Sequence, residues 1–408
     1  MTPAQLEFNP LLAAIYALSI YGAMLALAEI LLRLSAVRAA ITLSSTRFGC
    51  MDGLRGVLAL GVMVHHSFAA YGYFTLGVWK WSTSALLNEL GQSTVAMFFM
   101  ITGFLFALKA SSPRLTWGAM YAARLARLGP LYAVLVFTVF VAVFIISGGT
   151  LKESVPQIIK EFLQWITFVC FGRPNVNGYR MTWTLIAGVN WSLKYEVCFY
   201  LLVVPVLHMT SKFTSTRTRL ALTLAALVAM LIFQKILLHD VDHRTNALYA
   251  TQFLGGILVA YAYQTPAIFK VMGSAAIKGI ALVATGVLLS LVYSTNAAGV
   301  VCTTVIFAAI VGGASFGGVL RSHAAIWLGD ISYGIYLMHG LALWLTLSAL
   351  KVLVPHLEAI PLALYWPLMI GVAAIVVSAA SVSYVILERP IMRRVTGRRR
   401  EPAAQPVG

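Results

Sequence analysis

The chain has 408 residues, 60% of them hydrophobic and 10% charged, with a mean hydropathy of +0.87. Soluble domains carry about 25% charged residues, so the composition excludes an ordinary soluble fold and indicates a polytopic membrane protein. The formal net charge of +16 does not imply nucleic acid as a partner. Most Lys and Arg lie in short segments between apolar runs, as in cytoplasmic loops.

Apolar runs long enough to span about 30 Å fall near 10–34, 51–72, 92–110, 129–147, 189–209, 220–238, 248–264, 279–295, 299–316, 328–350 and 361–386. The expected fold class is therefore all-α, a transmembrane bundle of about eleven helices. If the segments after the odd-numbered helices face the cytoplasm, Lys and Arg split 19 to 9 in favour of that side, with Arg55 set aside. That bias puts the N-terminus outside and the C-terminus inside. The first run is preceded by no basic residue, unlike a cleavable signal. Its Glu29 and Arg33 are four apart and are expected to neutralise each other on one helix face.

The second run, LRGVLALGVMVHHSFAAYGYF, carries Arg55 and then His65 and His66. An Arg at mid-membrane costs roughly 2.5–3.5 kcal/mol on insertion scales, and ionisable groups there mark function by default. At 1.5 Å per residue, His66 lies about 16 Å along the axis from Arg55. With Arg55 at one membrane face, His66 sits near the bilayer middle. Adjacent residues point about 100° apart, so only one of the two imidazoles faces a given cavity well. Asp52 is three residues before Arg55 and shares its face.

In ARLARLGPLY, Arg124 and Arg127 fall on one helical face ahead of Pro130. Paired guanidiniums there suit phosphate, although cytoplasmic-loop charge alone would also account for them. The 148–189 stretch is the longest between spans. Its apolar middle, IIKEFLQWITFVCF, suits an interfacial or re-entrant helix, and the polar loop GRPNVNGYRMTW after it suits acceptor binding. In VNWSLKYEVCFYLLVVP, Trp191 suits an aromatic belt. Glu196 lies about 9 Å deeper than Asn190 and needs a partner, for which His66 is a candidate beside Lys194. In LGDISYGIYLMHG, Ser332, Tyr336 and His339 line one stripe next to Tyr333, and SYVILERP closes the last helix. Cys50, Cys170, Cys198 and Cys302 show neither metal-ligand nor disulfide spacing, and no metal is expected.

Taken together, DGLRG at 52–56, the Arg55-to-His66 spacing, FFMITG at 98–103, Arg124/Arg127, WSLKYEVCFY at 191–200, SYGIYLMH at 332–339 and ERP at 388–390 resemble the acyltransferase-3 family of integral membrane O-acyltransferases. Thr102 stands where that family usually has Ser. The resemblance implies a ten-helix domain over 48–392, preceded by an added helix and linker at 1–47 and followed by a basic cytoplasmic tail at 393–408.

It also implies an enzyme that takes an acyl group, most often acetyl, from cytoplasmic acyl-CoA and places it on a hydroxyl of a cell-surface or exported glycan. Lipid and small-molecule acceptors, antibiotics among them, are alternatives within the family. The expected setting is a bacterial inner membrane, with acyl-CoA as co-substrate and no permanently bound cofactor. Arg55, Arg124 and Arg127 would grip the CoA phosphates, while extended pantetheine, about 15–20 Å long, would bring the thioester to His66. His66 is then the base that deprotonates the acceptor, or alternatively is acylated first. Glu196 would orient it, supported by Asp52, His65, Trp191, Tyr333 and His339. A proton-coupled transporter also buries His, Glu and Arg, but the inverted repeats and broken helices common in that class are not evident.

Overall fold

The computed structural model describes residues 2–6, 9–41, 48–113, 115–237, 249, 251–354 and 356–396. Among them there is no strand, only an isolated bridge between Val176 and Tyr179. The first long helices are α1 (Pro10–Leu31), α2 (Gly49–Leu76), α3 (Ala85–Ala110) and α4 (Trp117–Ile146). A short α5 (Val155–Ile166) precedes α6 (Trp191–Phe213) and α7 (Thr216–Leu237). Then come α8 (Thr251–Tyr263), α9 (Pro266–Met272), α10 (Ala275–Ser290) and α11 (Ala297–Val311). The chain continues with α12 (His323–Asp330), α13 (Ser332–Leu353) and α14 (Leu362–Val395).

Each of the eleven expected runs falls on a helix. Among the described residues, eight helices are long and apolar enough to cross a membrane, or nine if α9 and α10, bent by 56°, form one span. At 13 and 15 residues, α8 and α11 are shorter than hydropathy suggested. The run at 248–264 begins outside the described residues, as does most of the tail expected at 393–408.

Local chemistry sets several helix ends. Asn9 accepts from the Leu12 amide ahead of Pro10, and Ser84, Ser274, Asn296 and Ser322 cap α3, α10, α11 and α12 in the same way. Gly77, with φ of 71°, ends α2 in the left-handed conformation. Glu29 and Arg33 form no ion pair: α1 ends at Leu31, so Arg33 lies beyond the last turn and both side chains are exposed.

Two apolar clusters make up the core. One joins α3, α4, α6, α8, α10 and α11; the other joins α1, α12 and α14. Helices α2 and α13 contribute to both, so their contact is the seam of the molecule. Glycines bring α2 against α12 and against the Val319–Arg321 turn that precedes it. Gly53 faces the Leu320 carbonyl and Gly329 faces the Asp52 carbonyl, too closely for any Cβ. Both glycines of DGLRG are thus packing residues, Gly56 facing Leu328 and the Ala325 carbonyl, and so is Gly103 of FFMITG, against the Phe253 carbonyl.

The added helix α1 is packed firmly against the domain. Tyr16 and Ile20 bury against α2 and α14, and the Trp366 indole donates to Ser19 Oγ at 2.7 Å. Ser67 Oγ donates to the Val64 carbonyl at 2.6 Å, so the Tyr16 hydroxyl, 3.2 Å away, is the donor to Ser67. Tyr365 donates to the Ser67 carbonyl at 2.8 Å. Two tyrosines therefore pin the residue that follows His66.

Candidate active site

A cavity of about 290 Å³ opens among α2, α3, α4, α6, α13 and the last turns of α14. Three guanidiniums converge on it: Arg55 from α2, and Arg124 and Arg127 from α4. The two on α4 differ in kind. Arg127 is engaged, 3.7 Å from Glu388 Oε2, donating to the Asp330 carbonyl at 2.9 Å and lying between the rings of Tyr333 and Tyr384. Arg124 lies over the Phe106 ring, and its buried Nε has no hydrogen-bond partner. Like charges this close repel, so an anion would be stabilised among them. Met392 of α14 also lines the cavity.

Glu196 lines the same cavity, five residues after Trp191 and three before the π-turn Phe199–Val203. Thr102 donates to its Oε1 at 3.2 Å and Tyr200 to its Oε2 at 3.0 Å. Thr102, the residue that departs from the family pattern, supplies the hydroxyl a Ser would supply. A second π-turn, Tyr384–Glu388, carries the glutamate that holds Arg127. Such single-turn bulges are common where a helix must aim a side chain at a site.

Deeper along α2 and α13, His66 Nδ1 lies 2.8 Å from His339 Nε2 with the rings stacked. His339 Nδ1 lies 3.0 Å from the Ile335 carbonyl, which only accepts, so that nitrogen carries the proton. For neutral imidazoles, His339 Nε2 is then an acceptor and His66 Nδ1 the donor. His66 Nε2 is left with its lone pair and, among the described residues, no hydrogen-bond partner. His339 holds His66 as the carboxylate does in a hydrolase triad. This corrects the expected His66–Glu196 pairing: Glu196 is satisfied by two hydroxyls, and the helix that reaches His66 is α13.

The other expected residues divide clearly. His65, its ring 5.0 Å from that of His66, donates from Nδ1 to the Leu87 carbonyl at 2.9 Å and packs against Gly91. Tyr333 lines the cavity and donates to the Leu128 carbonyl at 2.7 Å. Trp191 packs inward against Phe99 and Tyr249 instead of forming a belt, because this turn of α6 faces α3. Asp52 lies within electrostatic range of Arg55 and does not line the cavity. Lys194 is drawn to the Tyr195 ring, not to Glu196. Sequence reasoning missed Ser192, whose hydroxyl lies 2.8 Å from that of Tyr336, and the Trp79 ring 5.9 Å from that of His66. Ser192 sits inside the quoted motif; Trp79 carried no signal.

A separate cavity of about 300 Å³ lies past the histidines, lined by Tyr73 and Phe74 of α2, Trp344, Ser348 and Lys351 of α13, and Tyr179. The 148–189 segment folds over this end. Its α5 turns Glu161 and Trp165 inward and leaves Val155, Ile159 and Leu163 exposed, as expected of an interfacial helix. Glu161 accepts from the Asn177 amide at 3.0 Å, and Asn177 accepts from the Lys152 amide at 2.7 Å. The polar loop is thus ordered. Burial raises the Tyr179 phenol above its ordinary pKa, with Tyr73 acting in the same direction.

No curated protein and no solved structure matches the chain. A family model described as an acyltransferase domain matches residues 48–388, a stretch that holds the histidine pair and, Met392 apart, the lining of both cavities, and leaves α1 outside. The chain belongs to the acyltransferase-3 family and is an integral membrane acyltransferase.

Proposed function

We propose that the protein moves an acyl group, most simply acetyl, from acyl-CoA at the Arg55 end to a hydroxyl of a glycan arriving from the Tyr73 end. One observation carries this reading. On both α2 and α13, the His66–His339 pair falls between residues of the arginine cavity and residues of the aromatic one. On α13 the order is Tyr333 and Tyr336, then His339, then Trp344, Ser348 and Lys351.

In this reading the guanidiniums hold the CoA phosphates and the pantetheine lies along the cavity wall of Val95, Phe98 and Leu128. His66 Nε2 takes the proton of the acceptor hydroxyl as its oxygen attacks the thioester carbonyl. The C–S bond then breaks, and the imidazolium returns the proton to the leaving thiolate. His339 keeps His66 in the tautomer that makes Nε2 the base. The Arg55 end would face the cytoplasm, where acyl-CoA is made, in the inner membrane of a bacterium. The charge bias along the sequence supports the same orientation.

The test is purified protein in nanodiscs with radiolabelled acetyl-CoA. Wild type should release CoA and label a polysaccharide acceptor. His66→Ala should abolish both while CoA binding persists. Full activity in that variant would end the proposal.

A further inference from the structure

From the cavity at the Tyr73 end we infer an acceptor subsite for an acidic sugar, the unit adjoining the one that reacts. The inference rests on the acyl-transfer reading above. Trp344 and Tyr73 offer broad apolar faces from two different helices, suited to the C–H face of a pyranose ring. Ser348 and the Tyr179 hydroxyl supply polar groups of the kind that orient a ligand in such a pocket.

Lys351 supplies the charge. Lys351 is exposed, and its Nζ donates to the Phe74 carbonyl at 3.2 Å, which places the ammonium at the cavity rim and leaves two further donors. Among the described residues no carboxylate lies within ion-pair distance of it; Glu358 interacts with it only at longer range. An ammonium at the rim of an aromatic cavity selects an anionic ring over a neutral one.

Position identifies the unit. Trp344 is five residues beyond His339 and Tyr73 seven beyond His66, or about 7.5 and 10 Å along the two helices. A single ring seated there does not present its hydroxyl to His66 Nε2. The Trp79 ring bridges the gap, 6.2 Å from Tyr73 and 5.9 Å from His66, with Trp183 at its other side 5.3 Å away. A chain of at least two sugars fits this course: one between Trp344 and Tyr73, the next beside Trp79 and the histidines.

The experiment is calorimetric titration of the full chain in nanodiscs with trigalacturonic acid, maltotriose and, separately, CoA. Trigalacturonic acid should bind at least tenfold tighter than maltotriose and than monomeric galacturonic acid. Lys351→Gln should remove the preference for the acid, and Trp344→Leu should weaken both sugars at least tenfold, with unfolding midpoints and CoA affinity unchanged. Absent sugar binding, or equal binding by wild type and Trp344→Leu, overturns the subsite. Equal binding of the acidic and neutral probes overturns its charge selectivity. Intact sugar binding with no CoA binding counts against acyl transfer and leaves the subsite standing.

Discussion

His66 Nδ1 and His339 Nε2 are 2.8 Å apart, and the Ile335 carbonyl fixes which of the two nitrogens carries the hydrogen. The order carbonyl, His339, His66 turns one backbone oxygen into a statement about the base two residues away. His339→Ala removes the acceptor and lets His66 take either tautomer. Turnover of acetyl-CoA should fall by about 10²-fold or more, while CoA affinity changes little. His339→Asn places an amide oxygen near the lost nitrogen and should recover part of the rate. Single-turnover kinetics on both variants, with CoA affinity measured alongside, is the check; equal rates for wild type and His339→Ala would remove His339 from the mechanism.

Arg124 and Arg127 look equivalent in the sequence but are not equivalent in their surroundings. Arg127→Ala leaves the Glu388 carboxylate, fully buried, without its cation, and should cost about 1–3 kcal/mol of stability. Arg124→Ala removes a guanidinium with an unpartnered buried nitrogen; it should leave the unfolding midpoint near wild type and weaken CoA binding about tenfold or more. Thermal unfolding and CoA titration separate the two. Identical profiles would mean that Glu388 does not distinguish them.

Much of this was legible because lipid restricts what polar side chains can do. Arg55, His66, Glu196 and the Arg124/Arg127 pair stood out as charges or imidazoles in apolar runs, and the structure brings four of them to one cavity with His66 beyond it. Partnership was not legible. Spacing along a helix says which residues share a face but not which helix lies opposite, so Glu196 was matched to His66 when Thr102 and Tyr200 hold it. The glycines of the quoted motifs hid their role for the same reason, since Gly53 has meaning only against Leu320. Hydropathy overstated α11 because apolar residues beyond Val311, Ala314 and Phe316 among them, also count toward a span.

The helix outside the matched domain has a definite task. Tyr16 on α1 donates to Ser67, next to His66, while Phe68 packs edge-on against the Tyr16 ring. Tyr16→Phe keeps the ring and loses the hydrogen bond, about 0.5–1.5 kcal/mol. The expected result is a modest fall in unfolding midpoint with a larger fall in kcat than in donor affinity, because the register of His66 is disturbed and the arginine cavity is not. A variant with changed stability but unchanged kcat would reduce α1 to an anchor.

Glycine substitutions test the packing of α2 against α12 and against the Val319–Arg321 turn before it. A methyl at Gly53 would strike the Leu320 carbonyl in the turn before α12, and one at Gly329 the Asp52 carbonyl, so α2 would have to move away from that turn or from α12. Gly53→Ala and Gly329→Ala should each destabilise by about 1–3 kcal/mol and lower activity, because Arg55 lies on the turn that would move. Gly22→Ala is the matched control: it sits inside α1 with nothing near its Cβ position, and helix propensity alone predicts a gain of up to about 1 kcal/mol. Opposite shifts in unfolding midpoint at Gly53 and Gly22 are the expected pattern; a stabilised Gly53→Ala would mean that α2 and the turn before α12 are not in backbone contact.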